Sequence, residues 1–310
     1  MPAIALSPFR LAAFLVVMGL CALASPPRAE AAYGRINLTV NGVKRTATLV
    51  EFERLKKRRR PVIFVLRSSG GGSGAALRAR RSLGLDAFAR ESGAIVVYPD
   101  ALGGGWGRAT AGQPAPDDAA FVRALANRLV QQGIASRRRL YIAGLSSGGL
   151  LAMKIACENS DLFAGAGAFN AALPVEAAAS CAPAQPVSFM LINGTADKIL
   201  PFQGGVANLP GGPREVMSSE ATVGLFAKAA QCTGKAVRPL RDRDPKDGSK
   251  IVVERWSGCK APVSLVRVEG GGHTIPGRRT AVARGEQTGP QNNDTDGARM
   301  MWDFLLRVSP

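Results

Sequence analysis

Hydrophobic residues along this chain fall into short, largely apolar runs separated by segments of mixed polarity. Five such runs occupy residues 61–66, 94–98, 138–145, 187–192 and 263–268. Short apolar runs of this kind are typical of parallel strands that are buried on both faces. The small residues of segment 163–169 predict one further strand, between the third and the fourth run.

Segments with helical spacing lie between these predicted strands. One helix is expected to end near Glu91, another begins at Asp117 and Asp118, and others follow Ser146 and cover residues 218–230 and 294–308. Carboxylates suit the positive end of a helix dipole, which supports the start at Asp117. Strands that alternate with helices predict an α/β domain with a mostly parallel central sheet and helices on both faces.

Hairpin patterns flank the predicted parallel strands. Residues 33–50 alternate between apolar and polar side chains around Asn41-Gly42, the strongest short signal for a hairpin turn. The polar segment 235–257 is compatible with a second hairpin. We find no internal repeat and no linker, so residues 32–310 are predicted to form a single domain.

The first 31 residues have the pattern of a secretory signal peptide. Arg10 precedes an apolar run over residues 11–24, and Ala29-Glu30-Ala31 offers a small-residue cleavage site. Cleavage after Ala24 is an alternative. Fourteen apolar residues are too few for a comfortable membrane span, and the residues before Cys21 match a lipoprotein signal poorly. We therefore predict a secreted or periplasmic protein with no membrane partner after cleavage.

Four cysteines remain beyond the predicted signal peptide, and none forms a C-x-x-C motif. An even number of cysteines in an exported protein predicts two disulfides. Three pairings are possible, of which the sequence-local one joins Cys157 to Cys181 and Cys232 to Cys259. The spacing does not favour a metal site.

Basic residues exceed acidic ones by 40 to 23, which gives a formal net charge of +17. Clusters lie at residues 56–60, 78–81 and 137–139. Such clusters indicate either a polyanionic partner or an arginine-rich solvated surface. Their position at strand starts or on a helix, without interleaved aromatic residues, favours the second interpretation and predicts no nucleic-acid partner.

The clearest chemical motif is G-x-S-x-G at residues 144–148, between a predicted strand and a predicted helix. This context is that of a nucleophile elbow, which presents a serine above a parallel sheet. Asp197 and His273, the chain's only histidine, also follow predicted strands. The order Ser146, Asp197, His273 is that of an α/β-hydrolase triad. Asp100 is a competing acid, but it precedes the nucleophile.

An oxyanion hole requires two backbone N–H groups near the nucleophile. Ser147, directly after the elbow serine, is predicted to supply one, and Ser69, in the loop after strand 61–66, the other. The same loop contains Gly70-x-Gly72-x-x-Ala75, which also fits a dinucleotide fingerprint, but no acid follows at the expected spacing. No phosphate-binding P-loop is present, and a single histidine argues against catalytic zinc. We therefore expect neither cofactor nor metal.

These motifs together resemble the secreted polyhydroxybutyrate depolymerase-like esterases, whose relatives include feruloyl and acetylxylan esterases. The resemblance extends from about Tyr33 to the C terminus. It is carried by residues 98–100, 117–118, 121–122, 144–149, 193–197, 271–277 and 302–304. It implies an α/β-hydrolase fold, Ser146 as nucleophile, Asp197 as acid, His273 as base and a Cys157–Cys181 disulfide.

Three positions depart from the pattern of that family. Arg67-Ser68 stands where the family has His-Gly, Asn193 where it has His, and Ile275 where it has Trp beside the catalytic histidine. Ile275 and Trp106 are candidate substrate contacts, although a packed structural indole is an equal interpretation of Trp106.

The predicted activity is hydrolysis of carboxylic esters through an acyl-enzyme. Candidate substrates are polyhydroxyalkanoate oligomers and the acyl or feruloyl esters of polysaccharides. Two alternatives stay open: a binding protein on a hydrolase fold with little or no catalytic activity, and a serine peptidase.

Overall fold

The computed structural model describes most of the chain beyond the predicted signal peptide. The described residues are 31–52, 59–68, 80, 83–107, 115–209, 212–278 and 288–307.

Ten of the twelve strands form one central sheet, in the order β1-β2-β4-β3-β5-β6-β7-β12-β11-β10, and β8 and β9 form a separate hairpin. In chain order the strands are β1 (Ala31–Val40), β2 (Val43–Phe52), β3 (Arg60–Leu66), β4 (Ile95–Pro99), β5 (Ala135–Leu145), β6 (Gly165–Phe169), β7 (Ser188–Gly194), β8 (Gly205–Leu209), β9 (Gly212–Val216), β10 (Gly234–Pro239), β11 (Lys250–Ser257) and β12 (Val263–Glu269).

The middle of the sheet is parallel from β4 to β12 through β3, β5, β6 and β7. Strand order reverses at β3, which lies between β4 and β5. Open α/β sheets bind ligands outside the carboxyl ends of their strands, at such a reversal. This edge, called the carboxyl edge below, is therefore where the fold favours a site.

Helices cover both faces of the sheet, as predicted. They are α1 (Leu85–Ser92), α2 (Asp118–Gln131), α3 (Ser147–Glu158), α4 (Val175–Ala178), α5 (Ser219–Ala229) and α6 (Gly297–Arg307). Buried residues of α2, α3 and α5 pack in one apolar cluster with one face of the strands. Those of α1 and α6 pack in a second cluster on the opposite face. The predicted α/β-hydrolase architecture is confirmed.

Both hairpins expected from the sequence are present. β1 and β2 pair in antiparallel register around Asn41-Gly42, and β10 pairs with β11. The β8–β9 hairpin was not predicted, because its strands are five residues long and mostly exposed. Ala207 and Val216 of this hairpin pack on Ala172 and Leu200 beside the carboxyl edge.

Two disulfides join Cys157 to Cys181 and Cys232 to Cys259, the sequence-local pairing. The start of α2 is fixed by its two carboxylates. Asp117 accepts a hydrogen bond from the Ala120 amide, and Asp118 forms a buried ion pair with Arg45 at 2.6 Å. In the described part of the chain, no helix is long and apolar enough to cross a membrane.

Candidate active site

Ser146 lies in the sharp turn between β5 and α3, with φ of 54° and ψ of −122°. Non-glycine residues rarely adopt this backbone conformation, so the surrounding contacts must impose it. The Ser146 amide donates a hydrogen bond to the Phe169 carbonyl at 2.8 Å, which ties the turn to β6. The geometry is that of the predicted nucleophile elbow.

Both glycines of the motif are required by close backbone packing. A Cβ atom at Gly144 would overlap the carbonyl oxygen of Gly148 across the turn. A Cβ atom at Gly148 would overlap the carbonyl oxygens of Leu66 and Arg67 at the end of β3. The elbow therefore packs directly against the strand that leads into the predicted oxyanion loop.

Asp197 and His273 form a buried pair in which His273 Nδ1 lies 2.6 Å from Asp197 Oδ2. His273 is 4% exposed and Asp197 is 7% exposed. The second oxygen, Asp197 Oδ1, accepts hydrogen bonds from the amides of Ile199 and Leu200 at 2.8 and 2.9 Å. These two donors fix the orientation of the carboxylate toward the imidazole.

The loops that carry this pair are joined by their backbones. The Ala196 amide donates to the Gly271 carbonyl at 2.8 Å, and the Gly270 amide donates to Thr195 Oγ1 at 2.9 Å. A Cβ atom at Gly194 would overlap the Gly271 carbonyl oxygen, so the two loops are in direct contact. The proximity of Asp197 to His273 follows from this packing.

Segment 288–290 supports the histidine from its other side. The His273 amide donates to the Thr288 carbonyl at 2.5 Å, and the Gly272 amide donates to the Pro290 carbonyl at 2.9 Å. His273 is therefore held through its own backbone as well as through its ring.

All three predicted triad residues lie at the carboxyl edge. Strand register aligns Leu145 with Phe169 and Gly194 with Val268, so the loops after β5, β7 and β12 emerge together. Asp197 and His273 are in contact. Between the described residues Ser146 and His273 there is no side-chain hydrogen bond. Such bonds are often long in free enzymes and tighten when substrate binds.

Of the two residues predicted to form the oxyanion hole, the described part of the chain includes Ser147 but not Ser69. Ser147 is the first residue of α3, so its amide belongs to the positive end of that helix. Ser69, and the dinucleotide-like segment at 70–75, lie outside the described residues. Arg67, just before them, is buried, and its Nη1 donates to the Ser68 carbonyl at 2.8 Å. The first residues of this loop are therefore stabilised by a hydrogen bond from the Arg67 side chain to the loop's own backbone.

Trp106 supports the same loop. Its indole N–H donates to the Arg67 carbonyl at 2.7 Å, and the Arg67 guanidinium lies 5.9 Å from the ring centre. Trp106 is half-buried against the apolar cluster of α2 and α3. These contacts favour the structural interpretation of Trp106 over a substrate platform.

Ile275 does not line an open surface. Its side chain is 0% exposed and packs in the apolar cluster that contains Met301 and Trp302. The predicted direct substrate contact through Ile275 is therefore not supported, because no part of the side chain is accessible.

Asp100, the competing acid, has a local structural role. Its carboxylate accepts a hydrogen bond from Thr46 Oγ1 at 2.6 Å, and its carbonyl accepts one from Arg45 at 3.1 Å. It thereby joins β4 to β2 and does not contact His273.

Two buried asparagines at the carboxyl edge were not predicted as site residues. Asn193 joins the end of β7 to the loop after β6: its Oδ1 accepts from the Ala171 amide at 3.1 Å, and its Nδ2 donates to the Ala171 carbonyl at 2.8 Å. Asn170, with φ of 46°, is 1% exposed, and its side-chain carboxamide has no hydrogen-bond partner among the described residues. The sequence signal that could have identified Asn170 is its position directly after the predicted strand that became β6.

Among the described residues, no group of three or more His, Cys, Asp or Glu side chains is arranged to hold a metal ion.

Comparisons with known proteins point to hydrolases. The family model of the prolyl oligopeptidase family matches residues 86–175, which include the elbow. NocK of Nocardia uniformis subsp. tsuyamanensis, which is named an esterase, is 30% identical over 263 residues, covering 80% of this chain and 74% of NocK. Feruloyl esterase B of Piromyces equi is 28% identical over 227 residues; the match covers 71% of this chain but only 38% of that enzyme.

A similar fold is found in the solved structure of an acetyl xylan esterase from Aspergillus awamori. The TM-score is 0.54 at 12% sequence identity, and the match covers 78% of this chain and 94% of that one. At this identity the likeness concerns the fold alone.

Proposed function

This chain belongs to the family of α/β-hydrolase esterases, and we propose that Ser146, His273 and Asp197 are the catalytic triad with which it cleaves esters. The family membership makes the chain a serine carboxylic ester hydrolase. The observation that carries the triad is the buried 2.6 Å contact between His273 Nδ1 and Asp197 Oδ2, on the same edge as the elbow serine.

In the proposed reaction, His273 donates its Nδ1 proton in a hydrogen bond to Asp197, which leaves Nε2 as the base. Nε2 takes the hydroxyl proton of Ser146 as Oγ attacks the ester carbonyl carbon. The alcohol leaves with the proton from His273, and an acyl-serine remains. Water, deprotonated by His273, then attacks the acyl-serine, and the carboxylic acid is released while Ser146 recovers its proton.

The negative oxygen of the tetrahedral intermediate requires backbone donors. We assign one to the Ser147 amide at the start of α3 and the other to Ser69. The positive end of the α3 dipole favours developing negative charge at this position.

We further propose that the protein acts outside the cytoplasm on acyl or feruloyl esters of polysaccharides, or on polyhydroxyalkanoate oligomers. The names of the relatives support ester-linked polysaccharides as a substrate class. Two disulfides are compatible with an oxidising compartment.

The triad is tested by Ser146→Ala, with Ser257→Ala at the exposed end of β11 as the matched control. We expect Ser146→Ala to lower kcat/KM for p-nitrophenyl acetate by about 10⁴-fold or more, since serine provides the nucleophile. Ser257→Ala should stay within twofold of the parent. Hydrolysis by Ser146→Ala at the parent rate would overturn the assignment.

A fluorophosphonate probe separates catalysis from binding. We expect the probe to label Ser146 in the parent protein but not in Ser146→Ala. Folded parent protein that takes up no label would instead favour a hydrolase-fold binding protein.

A second candidate activity is peptide hydrolysis, because the prolyl oligopeptidase family model matches the elbow half of the domain. Matched ester and amide substrates with the same acyl group distinguish the two activities. We expect turnover of the ester and no detectable turnover of the amide, because an amide carbonyl is less electrophilic than an ester carbonyl and its nitrogen must be protonated before it can leave. Measurable turnover of the amide that is lost in Ser146→Ala would favour the peptidase.

A further inference from the structure

A cleft of about 600 Å³ lies at the edge of the sheet opposite the candidate active site. It is formed where β5, β6, β7 and β12 begin. Its lining comprises Arg137, Arg138, residues 160–164, Gln185, Pro186, Ser188, residues 260–262 and Arg307. Because β6 and β7 are five and seven residues long, the cleft lies about 20 Å from the carboxyl edge.

The charge of this cleft is predominantly positive. Among the described lining residues there are four cations, Arg137, Arg138, Lys260 and Arg307, and one carboxylate, Asp161. All four basic residues are exposed. In the part of the chain that the structure describes, neither Arg138 nor Lys260 forms an ion pair.

Asp161 interacts electrostatically with one lining cation, Arg137, but its two carboxylate oxygens are already bound by Arg123. Arg123 lies outside the lining and donates to both carboxylate oxygens, at 3.0 and 2.8 Å. These hydrogen bonds hold the pKa of Asp161 below its ordinary value. The cleft therefore retains an excess of positive charge.

Disulfides fix the two loops that line the cleft. Cys157–Cys181 joins the end of α3 to the loop before β7, close to Ser160 and Gln185. Cys232–Cys259 anchors the residue directly before Lys260. A cleft whose walls are held in this way loses little conformational entropy when a ligand binds.

Six of the nine neutral residues described in the lining are apolar, but only two of these, Pro186 and Pro262, are exposed. The Ser160 hydroxyl is buried and accepts a hydrogen bond from the backbone amide of Gln185 at 3.2 Å. Gln185 is exposed, whereas Phe163, the aromatic residue of the lining, is only 1% exposed. Single-stranded nucleic acids use exposed aromatic rings for base stacking, and membrane surfaces require exposed apolar side chains. Among the described residues, the lining has no exposed aromatic ring, and its exposed apolar residues are two prolines rather than a continuous apolar surface.

We propose that this cleft binds an acidic oligosaccharide, a carboxylate-bearing sugar chain, and holds the enzyme on an anionic polymer. The guanidinium groups pair with uronate carboxylates, and the exposed side chain of Gln185 offers hydrogen bonds to sugar hydroxyls. Binding at this edge leaves the carboxyl edge free for the ester. The binding claim does not depend on the proposed triad and is tested without turnover.

The test measures binding of polygalacturonate to the full protein carrying Ser146→Ala, by isothermal titration calorimetry at 150 mM salt. Arg138→Gln/Lys260→Gln removes two cations from the cleft. Arg238→Gln/Arg255→Gln removes two exposed cations from the β10–β11 edge and is the charge-matched control. We expect the cleft variant to weaken binding at least tenfold and the control less than twofold.

The same titrations show which outcomes would overturn the proposal. Equal weakening by both double variants would mean that the net charge of +17 binds polyanions diffusely. Equal competition by duplex DNA, or equal binding to phosphatidylglycerol vesicles, would assign the cleft to a different partner. Equal binding of neutral dextran would rule out recognition of the carboxylates.

Measurements of ester hydrolysis by the cleft variant test this proposal separately from the proposed function. In the background of intact Ser146, we expect Arg138→Gln/Lys260→Gln to leave kcat/KM for p-nitrophenyl acetate within twofold of the parent. Loss of polymer binding with intact turnover supports the cleft, whichever residues perform the chemistry. Loss of both polymer binding and turnover in the folded variant would refute the claim that the binding cleft is separate from the active site.

Discussion

At the scale of single residues, steric contacts determine which side chains the elbow accepts. Gly148 packs against the Leu66 and Arg67 carbonyl oxygens so closely that even a methyl group would overlap them. We expect Gly148→Ala to push α3 away from β3 and to displace Ser147. Activity on p-nitrophenyl acetate should fall at least 100-fold, and the free energy of unfolding by about 2 kcal/mol, as for overpacked sites.

Gly224 in α5 is the matched control for this substitution. A Cβ atom there meets nothing within 4 Å, and the residue lies inside a helix. Gly224→Ala should therefore stabilise the protein by up to about 1 kcal/mol and leave activity unchanged. Urea unfolding and initial rates for both variants check this prediction. A fully active Gly148→Ala variant would show that the elbow tolerates displacement.

The candidate site residues could be predicted because each directly follows an apolar strand. Ser146, Asp197 and His273 carry this signal in the chain itself. Asn193 also directly follows an apolar run, but its role depends on hydrogen bonds to Ala171, 22 residues away, which the run does not reveal. Ile275 was assigned to substrate by comparison with a family tryptophan, but a single position does not show which way its side chain points.

At the scale of elements, one buried carboxylate joins the β10–β11 connection to the segment before α6. Asp294 accepts hydrogen bonds from the amides of Arg243 and Asp244, at 2.6 and 3.2 Å, and from Asn292 Nδ2 at 3.0 Å. Burial opposes ionisation of Asp294, but these donors outweigh it and hold its pKa below the ordinary 3.8. The ionised form therefore stabilises the fold.

This depressed pKa predicts a dependence of stability on acid. Because the folded pKa lies below the unfolded one, the contribution is complete above about pH 4 and is lost as pH falls through the folded pKa. Asp294→Asn should lower the free energy of unfolding by about 2 kcal/mol at pH 7. The difference from the parent should shrink between pH 4 and pH 2 in urea titrations.

Asp303→Asn on α6 is the control, since that carboxylate pairs with Arg299 on the surface. Surface pairs contribute little, so its effect should stay below about 1 kcal/mol at every pH. If Asp294→Asn lowers the free energy of unfolding by the same amount at every pH down to 2, the charge of Asp294 does not contribute to stability.

The sequence predicted whole elements best where the apolar pattern was continuous. Strands β4 and β7 are buried throughout and β3 at all but one residue, and each corresponds to a largely apolar run in the sequence. The β8–β9 hairpin has no such pattern, since its strands lie mostly on the surface and pack through a few residues. Its existence depends on tertiary contacts with the loop after β6.

At the scale of the whole molecule, the candidate catalytic residues and the disulfides lie at opposite edges of the parallel sheet. The carboxyl edge holds Ser146, Asp197 and His273, whereas the opposite edge holds both disulfides and the basic cleft. The arginine cluster at 137–139 was visible in the sequence, but its neighbours Lys260 and Arg307 are distant in the chain. The strand order brings Lys260 to this cluster, and the packing of α6 on the sheet brings Arg307.

This separation predicts that the disulfides stabilise the fold without shaping the candidate active site. They close loops of 24 and 27 residues, so each is expected to contribute about 3.5 kcal/mol by restricting the unfolded chain. Cys157→Ala/Cys181→Ala should lower the free energy of unfolding by about that amount. Its kcat/KM for p-nitrophenyl acetate should remain within about threefold of the parent while the protein is folded.

The second pair, Cys232→Ala/Cys259→Ala, provides an independent measure, because the two loops do not overlap in the chain. If the disulfides act on the unfolded state, the two losses should add, and the parent in dithiothreitol should match the variant that lacks all four cysteines. A large fall in activity with unchanged stability would instead mean that the disulfides act on the native site. Polygalacturonate binding should weaken in both variants, since each disulfide holds one wall of the cleft.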